Sequence, residues 1–117
     1  MANKVGLKKV VEKMNLKNLT PDVDLTEKKV EVPDINRPAL QLTGFFEHFD
    51  SERVQIIGYV EYTFLETMDE KTKEETYETL LSYQIPCIIF CRNLPPEPML
   101  LEKATRANIP VFITEKQ

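Results

Sequence analysis

The sequence predicts an α/β protein, a layered α/β sandwich with a mainly parallel sheet. Two observations carry this reading. The first is a strand–helix–strand run near the C-terminus: "PCIIFC", the loop "NLPPEP", the helical "MLLEKATRAN", then "IPVFIT". Strands joined through a helix lie parallel, with a right-handed crossover. The second is "VQIIG" (54–58), a compact apolar run closed by a glycine and followed by two helical patterns. Strands buried on both faces read as unbroken apolar runs, and their alternation with helices marks the α/β class.

Taken in order, a helix is expected over about 3–14. Leu7, Val10, Val11 and Met14 recur at i, i+3, i+4 and i+7, with Asn3 as cap. "LKNL" reads as a short strand, "TPDVDLTE" as a turn, and "KKVEV" as a strand with Val30 and Val32 on one face, ending at Pro33. In "PDINRPALQLTGFFEHF" (33–49), Pro38 suits a first helical turn, Asn36 a cap and Gly44 an end. A short helix over about 37–43 follows. From about 60, Val60, Phe64, Leu65 and Met68 are expected on the buried side of a helix. "DEKTKEETYETLLS" predicts another, with Asp69 and Glu70 at its N-terminal dipole and Tyr77, Leu80 and Leu81 as its apolar stripe. The last helix should turn Leu101, Ala104 and Ala107 inward, with Asn108 at its end.

The 117 residues suit a single domain, 1–117, which at this size buries roughly two-thirds of its unfolded surface. Apolar residues make up 42% and charged residues 29%, the balance of a soluble globular domain. The net charge of −4 argues against nucleic acid as a partner. Residues 1–17 carry five lysines against Glu12 alone, leaving −8 on the remainder. That lysine-rich face is either simply solvated or docks onto an acidic partner. No run approaches 18 apolar residues, and "MANKVGLKKVVEKM" lacks the apolar core of a leader. The expected location is cytoplasmic, with no membrane partner.

Cys87 and Cys91 lie four apart on one strand, about 13 Å and beyond disulfide reach. They read as buried free thiols. His48 is the single histidine, so a zinc site is not expected. The three glycines form no phosphate-cradling loop, and no nucleophile elbow occurs. Carboxylate pairs such as Glu74 and Glu75 fall on a solvated helix face. No catalytic residue is expected.

"PDINRPALQLTGFFEHFDSERVQIIGYVEYTFLE" resembles the N-terminal domain of bacterial HPr kinase/phosphorylase. Asp34, Ile35, Arg37, Pro38 and Leu40 match its Asp-Ile-Ser-Arg-Pro-Gly-Leu run, and Gly44, Phe45 and Phe46 its glycine before aromatics. Glu52, Arg53 and Gln55 match Glu-Arg-Ile-Gln, and Gly58, Glu61 and Phe64 match Gly-x-x-Glu-x-x-Phe. "VVEKMNL" and "LPPEPMLLEKATRANIPVF" extend the likeness over most of the chain. Asn36 replaces the usual serine and Ala39 the frequent glycine.

The resemblance implies a fold similar to the N-terminal domains of Mur ligases. It implies a non-catalytic regulatory or assembly domain of an enzyme that phosphorylates a serine of the phosphocarrier HPr and reverses that reaction, in carbon catabolite repression. The cofactors implied are ATP (or pyrophosphate) and magnesium, all in a C-terminal P-loop kinase domain expected after "VFITEKQ"; none is expected in this chain. The partners implied are that kinase domain, the other subunits of a hexamer, and HPr. The other readings are a module sensing a nucleotide or sugar phosphate and a stand-alone protein-interaction domain.

In a parallel sheet, ligands favour the carboxyl ends of the strands. The candidate ligand residues there are Asp34, Asn36, Arg37, Glu61, Arg92 and Asn93, since arginine forks suit phosphate or carboxylate. The plainer reading is that Arg37 pairs with Asp34 or Glu61 and fixes the turn. Phe45, Phe46 and Phe49 are either core or a contact surface.

Overall fold

The structure, a computed structural model, describes residues 4–26, 28–31, 35–36 and 54–115. Asp34, Arg37, the expected helix over 37–43, and Phe45, Phe46 and Phe49 lie outside those residues. Asn36 is placed by its backbone alone.

Two sheets are present. β1 (Lys4–Gly6) pairs antiparallel with β3 (Lys29–Glu31), Val5 opposite Val30. The larger sheet has the order β2-β7-β6-β5-β4: β2 (Lys17–Asn18), β4 (Ile35–Asn36), β5 (Val54–Ile57), β6 (Ile88–Phe90) and β7 (Val111–Ile113). β4 to β7 run parallel, with Gln55 opposite Ile88 and Ile88 opposite Val111. β2 closes the edge antiparallel to β7. The expected α/β class and mainly parallel sheet are therefore present.

From β4 to β7 the chain moves one strand sideways each time, in one direction. Right-handed crossovers then place the connecting helices on one face. Those helices are α2 (Tyr59–Glu66), α3 (Glu70–Leu81) and α4 (Pro98–Arg106). Strand side chains alternate between the two faces. Ile57, Ile88, Phe90 and Val111 pack with Leu65, Tyr77, Leu80, Leu100 and Ala104. Val54, Cys87, Ile89 and Phe112 pack with Leu7 and Leu16 on the other face, where α1 (Leu7–Lys13) lies. The sheet is thus the middle layer of three.

Three sequence expectations need correction. The first helix begins at Leu7, not at Asn3, because residues 4–6 hydrogen-bond as a strand; Met14 is exposed at its end. On α2 only part of the expected face is buried: Leu65 and, after the helix, Met68 pack on the core. Leu65 and Glu61 are buried, whereas Val60 is 61% exposed and Phe64 38%. Glu61, on the inward side, accepts the Gly58 amide with its carboxylate. On α4 the most buried leucine is Leu100, with Leu101 and Ala107 at the flank.

The expectations for the C-terminal end of α4 and for the two thiols hold. Glu70 stands in the first turn of α3 as expected, while Asp69 is its cap, accepting the Thr72 amide at 2.7 Å. Asn108 ends α4 at φ 60°, and the Ile109 amide donates to Ala104 O at 2.9 Å, a left-handed helix termination. Cys87 and Cys91 are buried and form no disulfide, and burial pushes the Cys87 thiol up to about 12. Among the described residues, no helix is long and apolar enough to cross a membrane, and no cluster suited to a metal ion occurs.

Candidate functional site

The parallel register brings the carboxyl ends of β5, β6 and β7 to one edge. Hydrogen bonds tie them laterally: Cys91 N–H to Ile57 O at 3.0 Å, Asn93 N–H to Thr114 O at 2.8 Å, and Thr114 N–H to Phe90 O at 2.9 Å. The segments that follow β5 and β6, which carry Glu61, Arg92 and Asn93, therefore leave the sheet at the same edge. The strand order does not reverse between β4 and β7, so no switch point splits the rim loops into a crevice.

Each rim residue has a defined role. Gly58 precedes α2, and its amide donates to Glu61 Oε1 at 2.8 Å. This is the carboxylate half of a capping box, and it satisfies an amide at the helix start. Arg92 and Asn93 both have positive φ, 55° and 54°. Two such residues in succession make the tight turn that Leu94 N–H closes on Cys91 O at 3.1 Å. Asparagine tolerates this region, but for arginine it is costly, of order 1 kcal/mol. The turn leaves Arg92 exposed, with its guanidinium carbon 5.7 Å from the Tyr59 ring centroid, within cation–π range.

Beside the rim, under the segment that leads from Arg92 into α4, lies a cavity of about 260 Å³. Its lining includes Tyr62 and Glu66 from α2, Lys73 and Tyr77 from α3, Phe90 from β6, and Glu97. The Lys73 ammonium reaches Glu97 Oε1 at 2.6 Å, and the Tyr77 hydroxyl donates to the same oxygen at 3.4 Å. The Tyr62 hydroxyl donates to Pro95 O at 2.7 Å. These bonds pin the Pro95–Glu97 segment onto α2 and α3.

The electrostatics of the cavity follow from these contacts. The hydrogen bond to Glu97 holds the Lys73 ammonium above its ordinary value, against the opposing effect of burial. Burial first, then Glu97, lifts the Tyr77 phenol well above its usual range. Tyr62 is raised by burial and by the carboxylates of Glu66 and Glu97. The Tyr62 and Phe90 rings meet edge to face at 6.3 Å.

Sequence reasoning missed this cluster. One signal was available: Lys73 stands four residues before Tyr77, on the stripe that Tyr77, Leu80 and Leu81 define. A lysine on a buried stripe calls for an acid partner from another element. Which acid it meets depends on how α3 and the segment before α4 pack.

Comparison with known proteins follows the same outline. The model of the family "HPr Serine kinase N terminus" matches residues 5–117. An HPr kinase/phosphorylase of Lachnoclostridium phytofermentans is 47% identical over 112 residues, which are 96% of this chain and 36% of that protein. One of Caldicellulosiruptor bescii is 39% identical over 108 residues, 92% of this chain and 35% of its own. The chain thus spans about a third of the length of these curated relatives. Among solved structures, the CBS and DRTGG domains of the regulatory region of a Clostridium perfringens pyrophosphatase, complexed with the activator diadenosine tetraphosphate, match with a TM-score of 0.59. That match covers 96% of this chain and 42% of that one at 14% identity, a likeness of fold alone. With the family model matching nearly the whole chain and these relatives close to it, the chain belongs to the HPr serine kinase N-terminus family.

Proposed function

We propose that this chain is the non-catalytic N-terminal regulatory or assembly domain of an HPr kinase/phosphorylase. The longer protein, in the bacterial cytoplasm, would phosphorylate a serine of HPr with ATP or pyrophosphate and magnesium, and would reverse the reaction. Its kinase domain, the other subunits of a hexamer and HPr are the partners proposed. The observation that carries the reading is the match of residues 5–117 to the amino-terminal family, in relatives about three times as long. The exposed Val60 and Phe64 on α2 support an assembly role, since they offer apolar surface to a neighbour. The test compares three proteins with HPr, ATP and magnesium: this chain, a longer protein that contains it, and that protein lacking residues 1–117. Phosphoserine should form with the second and third, with assembly or effector response altered in the third. Phosphoserine-HPr made by the 117-residue chain alone would overturn the proposal.

A second reading, a module sensing a nucleotide or sugar phosphate, is favoured by one observation. The turn that holds Arg92 in a costly conformation leaves its guanidinium exposed at the carboxyl rim. Titration with phosphate, fructose bisphosphate or a UDP-sugar should then shift the Gly58, Arg92 and Asn93 amides. Unmoved amides at millimolar ligand would remove this reading. Asp34, Asn36 and Arg37 belong to the same proposal and are tested in the same titration.

A further inference from the structure

We propose that the cavity between α2, α3 and the Pro95–Glu97 segment is a binding site for a small organic cation, an alkylammonium or guanidinium group. Three aromatic rings line it, those of Tyr62, Tyr77 and Phe90. Ring faces attract cations, and most strongly where water is partly excluded. Of the three charged residues that line it, two are carboxylates, Glu66 and Glu97, against the single ammonium of Lys73. Among the described residues no ion pair engages Glu66. Glu70 adds a further carboxylate 3.9 Å from the Lys73 ammonium.

The volume, about 260 Å³, is too small for a nucleotide-sized ligand but takes an amine on a short chain. The Lys73 ammonium already lies against Glu97 with its side chain only 10% exposed, so one of the two lining carboxylates holds a cation in place. The displaced phenol values of Tyr62 and Tyr77 have the same origin in part, the carboxylates that surround them. An anion would meet Glu66 and Glu97 with Lys73 alone to offset them, and is disfavoured. This site is separate from the Arg92 rim, and neither depends on the other.

The same chemistry could come from a free amine or from a lysine side chain of a partner. Amide spectra of the 117-residue protein are recorded against n-butylammonium chloride, against an acetylated and amidated Ala-Lys-Ala peptide, and against sodium chloride and sodium phosphate at matched ionic strength. Saturable millimolar shifts around Tyr62, Lys73 and Tyr77 with butylammonium are expected, without equivalent shifts from the two salts. Tighter binding of the peptide would assign the site to a partner's side chain; weaker binding would assign it to a free amine. Glu66→Gln lies outside the Lys73 ion pair and should weaken binding about two- to fivefold. Lys73→Met should strengthen binding by removing the competing ammonium from Glu97. Absence of saturable shifts in the unaltered protein, equal shifts with phosphate, or binding seen only after Lys73→Met would each overturn the proposal.

Discussion

The Lys73 ammonium of α3 lies 2.6 Å from Oε1 of Glu97, the residue that precedes α4, and the two side chains differ in exposure, 10% against 37%. The pair is therefore asymmetric. Glu97 can turn to water if its partner is lost, but Lys73 is enclosed.

That asymmetry sets the first prediction. Glu97→Gln leaves a buried ammonium facing a weaker acceptor and should cost about 1–3 kcal/mol. Lys73→Met keeps the packing, lets Glu97 hydrate, and should cost less. Urea denaturation with an unchanged m-value is the measurement; equal losses for the two variants would show that Lys73 is not enclosed as described.

Stability should fall at both ends of the pH scale. Lys73 is raised above 10.5 by Glu97, so its contribution is complete below that value and is lost as pH rises through the folded value. Tyr77, raised by burial, acts in the same direction, because its phenol ionises in the unfolded chain first. Asp69 is lowered from 3.8 by its bonds to Thr72, so its contribution holds above 3.8 and is lost as acid protonates the folded carboxylate. Melting temperatures against pH should form a plateau. Lys73→Met should soften the alkaline fall, and Asp69→Asn the acid one.

Glu61 is 2% exposed and accepts the Gly58 amide. Glu61→Ala strands that amide at the helix start and should cost about 1–3 kcal/mol. Glu61→Gln retains an acceptor oxygen and should lose markedly less. Thermal unfolding of both variants decides, and equal destabilisation would assign the role to the charge rather than to the hydrogen bond.

Gln84 and Asn108 hold φ 57° and 60° after α3 and α4. Glycine carries no penalty there, so Gln84→Gly should stabilise the protein by up to about 1 kcal/mol. Asn108→Gly should gain less, since asparagine already tolerates this conformation. Chemical denaturation of each variant gives the comparison.

Cys87 has no exposed surface, and its thiol is pushed up to about 12. Cys91 is likewise buried. A water-soluble disulfide reagent at neutral pH should label neither in the native protein and both once denaturant unfolds it. Prompt labelling without denaturant would contradict the burial.

Much of the fold was legible because burial on both faces leaves an unbroken apolar run. "VQIIG", "PCIIFC" and "IPVFIT" announced β5, β6 and β7 in that way. Acidic Asp69 and Glu70 announced the start of α3 through the helix dipole, and Asn108 the end of α4 through capping, both within a few residues. The buried face of α2 was not legible. Periodicity favoured Val60 and Phe64, but how α2 packs on the sheet buries Leu65 and Glu61 instead. The strand at Lys4–Gly6 was hidden for a similar reason, since its partner lies more than twenty residues away at Lys29–Glu31.

By itself, then, the sequence determined the elements whose causes are local: apolar runs, a stripe at helical spacing, caps, and the motifs that mark the family. Only the tertiary structure decided the one-directional order of β4 to β7, the face that α2 buries, and the meeting of Lys73 with Glu97 across 24 positions of chain. The physical reason is range. Capping and periodicity act over a turn or two of backbone, whereas pairing between distant side chains is set by how completed elements pack.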